Sequence, residues 1–432
     1  MTAKPEHPVL CQVALGYTPM VNRQREVVAT RLTVFPERPD ATPDAGALLA
    51  ALQEVWPAPE AASNEPLKLS PRPLDPGARG ARAPGARPPV TLNLAGEGLL
   101  RAVMAANPTT QFMIEVPAFM ASDTGFAVQL RHLHEAGNLL MIKGRPLQPL
   151  PPEVLALFSH SIVEIGEDRR NGEAVAEAAP MRKITTVQAG ARTSVEVEAA
   201  FQRGAVAVLG WPMDDAPPKP SVRSSVPSDV NTVMTLISGV DRERPVAELE
   251  AVLKRDPALA FKLMRYLNSP AFGLSVEINS FGHALMMLGY QRLKRWLALL
   301  LASSAKGVNA TPVMYAAVRR GLLMEELGRE QGPDANGEMR GEMFICGVFS
   351  LLDRLLQQPF AELLPNVPVP ERVAQALRGE GGPYQPYLEL VRAIEQESIY
   401  DMRERAEALM LGPSTVNRAV LVALRSARQL DG

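Results

Sequence analysis

Cysteine is nearly missing from this chain: two occur in 432 residues, Cys11 and Cys346, in different halves. That excludes a disulfide framework and makes a reducing compartment the expectation. Histidine is scarce too, with His7, His132, His134, His160 and His283. His132 and His134 fall two apart on a helix expected over 125–137, so they face different sides and do not chelate one ion. His283 has no acid or cysteine near it and reads as a cap or core-edge residue. Charge of one sign is not in excess. The formal net charge is −2, so no overall field draws the chain to nucleic acid or acidic lipid. Long apolar runs are also absent. "WLALLLA" (296–302) falls far short of the ~20 residues that span a bilayer, so no membrane insertion is expected. The first residues show no signal-peptide pattern, and a cytoplasmic protein is expected. Neither a Walker A pattern nor a nucleophile elbow occurs. "RGEGGPY" (378–384) lacks the Lys-Ser/Thr and the preceding strand of a phosphate loop.

Apolar residues make up 46% of the chain, enough for full cores, and the length suits two or three domains. The first half alternates short β-like runs with helical stretches. Strands are expected at 9–16, 27–35, 90–94, 111–116, 139–143, 161–165, 183–187 and 205–210, with helices at 44–56, 96–106, 125–137 and 194–204. This alternation predicts an α/β fold with a parallel sheet, and its strand number favours a barrel. Residues 57–89 interrupt the rhythm with nine prolines and four arginines, and read as a disordered insertion acting as a spacer. A second proline-rich stretch, 212–227, is the expected linker. Beyond it the apolar period becomes three and four, as at Val233, Leu236, Ile237 and Val240. Residues 228–432 are therefore expected to be all-α, and 1–211 the barrel.

The strand ends that would carry barrel chemistry are poor in acids. Glu115 and Asn93 are oxygen donors, but Arg31, Lys143 and Ala189 cannot ligate a hard cation. Arg292, Lys294 and Arg295, with Trp296, sit in the first turns of a helix, where basic residues oppose the macrodipole. Helix stability does not explain them, so Arg292, Arg295 and Trp296 are candidate partner-binding residues, as basic and aromatic anchors. "MFICGVFSLLDRLL" (343–356) reads as one buried helix in which Cys346 is a small hydrophobe.

Two runs, "DPALAFKLMRYLNSPAFG" and "HALMMLGYQRLKRW", give residues 236–304 a strong resemblance to the HDOD domain, and 341–395 continue it. The order of "NRQREVVATRLTVF", "VTLNLAGEGLL", "FMIEVPAFM", "EAGNLLMIKG" and "VEAAFQRGAVAVLGWP" makes the first half similar to an EAL domain, the cyclic-di-GMP phosphodiesterase barrel. The resemblance implies an EAL-HDOD signalling protein: a degenerate EAL-like (β/α) barrel joined to an HDOD helical domain. It also implies what has been lost. The signature glutamate falls at Arg31, the paired metal-binding aspartates at Lys143-Gly144, the catalytic lysine at Glu164 and a later glutamate near Ala189. Asn93 and Glu115 alone keep the ligand pattern. In the helical half, the His-Asp pair of the related phosphohydrolases falls at Ser350-Leu351, and no histidine accompanies Asp353.

These departures imply no enzyme, no metal and no cofactor. The expected function is a non-catalytic scaffold that contacts other signalling proteins through its HDOD domain. Two alternatives stand beside it. One is a cyclic-di-GMP receptor that binds without hydrolysis and switches HDOD contacts. The other is a metal-dependent phosphodiesterase with an unrecognised site.

Overall fold

The computed structural model describes residues 7–57, 90–146, 149–167, 184–213, 215, 228–253, 281–303, 309–329, 337–367 and 369–430. Three sequence expectations lie wholly or almost wholly outside these residues: the 57–89 insertion, the 212–227 linker and the first HDOD-like run at 256–273.

Two compact units emerge. The first contains Met1–Asp215 together with Ala393–Leu421, and the second Ala216–Arg392 together with Val422–Gly432. The expected assignment of all of 228–432 to the helical domain is therefore corrected for one segment, 393–421, which belongs with the barrel.

In the first unit eight strands close into a barrel: β1 (Val13–Asn22), β2 (Val27–Pro36), β3 (Val90–Leu94), β4 (Phe112–Pro117), β5 (Leu140–Lys143), β6 (Phe158–Glu164), β7 (Thr185–Ala189) and β8 (Ala207–Leu209). β1 runs antiparallel to both β2 and β8, and every other neighbouring pair is parallel. The first strand was expected at 9–16. Pro8 instead opens a short 3-10 turn over Pro8–Cys11, and the strand runs on through Met20 and Val21, which pair with β8. The turn to β2 is tight, with Arg25 in the left-handed region at φ 65°. Local signals start the outer helices. Asp44 caps Ala45–Val55 by accepting from Ala47 N, and Thr193 with Glu196 forms a capping box on Ser194–Gln202.

Strand alternation divides the barrel interior into two layers. Every second residue points inward. Met20, Ala29, Met113, Met141, Ile162, Val187, Ala189, Ala207 and Leu209 pack into one apolar cluster. Two residues further toward the carboxyl ends of β2 and β4, the inward positions turn polar at Arg31 and Glu115. The apolar layer fills the barrel, and the polar layer forms its mouth.

The segment 393–421 completes an edge of this barrel. β8 pairs only with Met20–Asn22, so β1 has no strand from β8 beside Val13–Leu15. Asn417, 1% exposed, takes that place: its Oδ1 accepts from Leu15 N at 2.9 Å, and its Nδ2 donates to Val13 O at 2.5 Å and Leu10 O at 2.8 Å. One side chain thus satisfies main-chain groups that a strand would otherwise pair.

In the second unit the described residues form helices and no strand. The principal ones are Ser228–Asp241, Val246–Leu253, Phe281–Ser303, Ala310–Arg329, Gly337–Phe349 and Glu371–Arg378. Gly289, at φ 73° and ψ 166°, breaks Phe281–Ser303 into two helical runs. Helices Ala310–Arg329 and Gly337–Phe349 cross backbone to backbone. A Cβ on Gly347 would lie 2.5 Å from Arg320 O, and one on Gly321 would lie 2.6 Å from Val348 Cγ2.

Candidate functional site at the barrel mouth

The polar layer brings together residues from β1, β2, β3, β4 and β5. Arg31 grips Glu115 with two parallel bonds: Nε donates to Oε1 at 2.9 Å and Nη2 to Oε2 at 2.7 Å. Thr91 Oγ1 adds a third donor to Glu115 at 3.2 Å. Lys143 Nζ donates to Asn93 Oδ1 at 3.1 Å, and Asn93 Nδ2 donates to Thr33 Oγ1 at 3.0 Å. Both oxygens of Glu115 and the amide oxygen of Asn93 are therefore engaged by cations.

Sequence reasoning found Arg31, Asn93, Glu115 and Lys143, and the structure brings all four together. It missed Glu397, which enters the mouth from the segment 393–421. Glu397 Oε2 accepts from Arg31 Nη1 at 3.2 Å, and its Oε1 accepts from Thr33 Oγ1 at 2.6 Å and Thr18 Oγ1 at 3.4 Å. No local signal marks Glu397 among the acids of "AIEQESIYD", and 366 residues separate it from Arg31. Of the other positions singled out, Glu164 is exposed at the end of β6, and Ala189 is in the apolar cluster.

Electrostatics follow from this packing. Burial works against the charge of Arg31, but Glu115 and Glu397 outweigh it and hold the guanidinium above its usual range. Burial and the neighbouring Arg31 push Lys143 below the usual lysine range. Burial raises the Glu397 carboxyl, partly offset by Arg31 and the Thr33 hydrogen bond.

The fit of a divalent cation to this mouth is poor. A hard cation needs several anionic or neutral oxygens with unshared lone pairs directed at it. Here a guanidinium and an ammonium already sit on the two surviving donors, and each repels a metal. Among the described residues, no group of three or more His, Cys, Asp and Glu converges to hold one.

The Ser350 region of the second unit was read as one buried helix. The structure breaks it. Gly337–Phe349 ends, and Leu352–Leu356 begins after Ser350 and Leu351. Ser350 Oγ donates back to Gly347 O at 2.7 Å, which competes with the helical ladder at this point, and accepts from Arg320 Nη1 at 3.2 Å. Burial raises the Asp353 carboxyl and pushes the Cys346 thiol up to about 12. A thiol so protonated is not a nucleophile.

The basic-aromatic trio divides. Arg292 is exposed, and Trp296 is half-buried. Arg295 is turned inward: Nη1 bonds Glu325 Oε1 at 2.8 Å, and its guanidinium lies 4.3 Å from the centroid of the Phe344 ring. Lys294 is buried and paired with Asp241. The expectation that Arg295 anchors a partner beside Arg292 is thus corrected, because its charge is already neutralised inside the helical unit. No helix of the described residues is long and apolar enough to cross a membrane.

Comparison with known proteins adds to this geometry. The chain is 30% identical to the uncharacterized protein YuxH of Bacillus subtilis (strain 168) over 167 residues, covering 38% of this chain and 40% of YuxH. It is 26% identical over 183 residues to the cyclic di-GMP phosphodiesterase CdgJ of Vibrio cholerae serotype O1, covering 42% of each. The matched stretch thus spans only about two fifths of these relatives' lengths. Two solved structures are similar at low level. The PaMucR phosphodiesterase in complex with c-di-GMP has TM-score 0.31 and 15% identity, covering 46% of this chain and 90% of its own. The FimX EAL domain from Pseudomonas aeruginosa bound to c-di-GMP has TM-score 0.29 and 12% identity, covering 47% and 90%. The family model for the HDOD domain matches residues 225–365. This chain therefore carries an HDOD domain at 225–365, later in sequence than the eight strands of a closed barrel.

Proposed function

We propose that the chain is a non-catalytic protein of cyclic-di-GMP signalling, whose EAL-like barrel no longer hydrolyses the dinucleotide and whose HDOD domain acts by protein contact. The observation that carries this reading is the two-bond grip of Arg31 on Glu115. Phosphodiester hydrolysis on such a barrel uses a metal to polarise the phosphoryl oxygen and activate water. A guanidinium on Glu115, the acid that the strands themselves carry into the mouth, supplies neither a metal site nor a base. Lys143 on Asn93 occupies the other surviving donor in the same way.

The test is a hydrolysis assay with cyclic-di-GMP in Mg²⁺ and in Mn²⁺, with metal analysis of the same purified protein. No turnover and no stoichiometric metal are expected. Turnover with bound metal sinks the reading. Calorimetry with the dinucleotide tests the receptor alternative, and heat at low micromolar ligand would favour it over the scaffold.

For the HDOD contact we propose Arg292 and Trp296 as the anchors that remain after Arg295 is committed to Glu325. Arg292→Glu with Trp296→Ala should abolish recovery of HDOD partners from native cells while leaving the melting temperature unchanged. Unchanged recovery would remove these two residues from the contact.

A further inference from the structure

The cations at the barrel mouth have a resident ligand within the chain itself. Glu397 lies two residues beyond helix Gln385–Glu395 and brings its carboxylate to Arg31, Thr33 and Thr18. Three features show that the backbone is arranged to deliver it. Glu397 adopts φ 55°, in the left-handed region that a non-glycine residue occupies at a cost of about 1 kcal/mol. Glycine at this corner would remove that cost, but it would also remove the carboxylate. Position 16 on β1, opposite Thr33, is a glycine, and a Cβ there would lie 3.0 Å from Ile394 O and 3.2 Å from Glu397 Cγ. The barrel wall therefore leaves room for the corner to seat. Beyond the corner, Arg403 Nη2 donates to Glu37 O at 2.8 Å and its Nε to Glu37 Oε2 at 3.1 Å.

The stretch around this corner is held differently from its flanks. Helix Pro413–Leu430 buries Val416, Ala419 and Val420, and the residues just before the corner bury Ala393 and Ile394. Between them, helix Ile399–Ala408 buries only Met402. Tyr400 and Met410 are 81% and 93% exposed. Segments with few buried apolar contacts and exposed hydrogen bonds open at low free energy. Residues 396–410 are thus fixed at both ends by apolar packing and held in the middle by polar contacts.

We propose that the barrel mouth is a carboxylate-receptor pocket, with Arg31, Thr33 and Thr18 as its donors and Glu397 as its built-in ligand, and that residues 396–410 form a latch that this ligand closes. The pocket takes a carboxylate because its donors are a guanidinium and two hydroxyls arranged around two oxygens. Removing the Glu397 carboxylate by substitution leaves Arg31 held by Glu115, so the pocket stays formed and a small carboxylate can take the place of the missing side chain with the latch seated. The proposal rests on the reading that the mouth holds no metal.

Hydrogen exchange of the full-length protein tests it, with propionate as the probe. Glu397→Ala should speed amide exchange over 396–410 by about tenfold, the effect of losing one charge-assisted hydrogen-bond set, while β2 to β5 stay protected. Added propionate should slow that exchange back toward the wild-type rate and should have no effect on wild type. If Glu397→Ala disturbs the barrel strands as well, Glu397→Gln, which keeps an oxygen for Thr33 and loses the charge, gives the same readout at smaller amplitude. Unchanged exchange over 396–410 in both variants overturns the latch. Faster exchange that propionate does not slow overturns the receptor pocket. Metal-dependent turnover in the parallel hydrolysis assay would instead overturn the underlying reading, whatever the exchange result.

Discussion

The barrel mouth and the Ser350 turn are the two places where the family resemblance puts metal ligands, and on the function proposed above each does without them in its own way. At the mouth the resemblance puts cations where acids are expected, and Glu115 is paired with Arg31 from another strand. At Ser350 the replacement is neutral, and the hydroxyl folds back on its own helix while Gly347 keeps the crossing with Arg320 and Gly321 tight. A barrel interior cannot leave a carboxylate at 1% exposure without a partner, and Arg31 is that partner for Glu115. A helix crossing has no such debt and relaxes into packing.

The largest effect is expected where charge compensates charge. Arg31→Met leaves Glu115 and Glu397 buried without their cation and should cost about 3–5 kcal/mol in urea unfolding. Adding Glu115→Gln should recover part of that loss. A cost below about 1 kcal/mol would mean that the mouth is far wetter than its burial indicates. The helical counterpart is Gly347→Ala, which forces a methyl against the Arg320 carbonyl and should cost about 1–3 kcal/mol by thermal unfolding. If it is neutral, the two helices are not locked backbone to backbone. Asn417→Ala leaves main-chain groups at Leu10, Val13 and Leu15 without their partner and should lower stability by about 1–3 kcal/mol, with faster exchange at the Leu15 amide.

Smaller effects sharpen the contrast. Burial raises the folded-state pKa of Asp353 above its ordinary 3.8. Its contribution to stability is therefore fully present below that value and is lost as pH rises through the raised folded value. Asp353→Asn, which keeps an acceptor for the Arg354 amide, should flatten this part of the pH–stability curve. A curve unchanged by the substitution would show that Asp353 is solvated. Finally, a thiol reagent at pH 8 should modify Cys11, which is exposed, and spare Cys346 until denaturant is added. Two thiols reacting in the native protein would contradict the burial that raises Cys346 to about 12.

Much of the barrel was legible because its strands are short apolar runs that alternate with helical stretches. β2 to β8 fall within three residues of their expected bounds at each end, since parallel strands are short and flanked by turn residues. β1 was misplaced because an antiparallel strand with two partners extends as far as those partners reach, which local pattern does not encode. Asn93 and Glu115 were singled out as oxygen donors, and Arg31 and Lys143 as positions unable to ligate a cation, because strand ends define where a barrel carries its chemistry. Arg295 was misjudged for the converse reason: a basic residue in the first turns of a helix looks the same whether its guanidinium meets solvent or Glu325.

By itself the sequence determined the two classes of unit and the residue types that stand at the strand ends of the barrel. These are properties of periodicity and residue type, and they need no knowledge of what lies across the chain. Tertiary structure alone decided that 393–421 belongs with the barrel, that Asn417 stands in for a strand at the edge of β1, and that Glu397 meets Arg31 across 366 residues of sequence separation. Those contacts depend on where two distant backbones pass, and on a left-handed corner that only its neighbours hold in place.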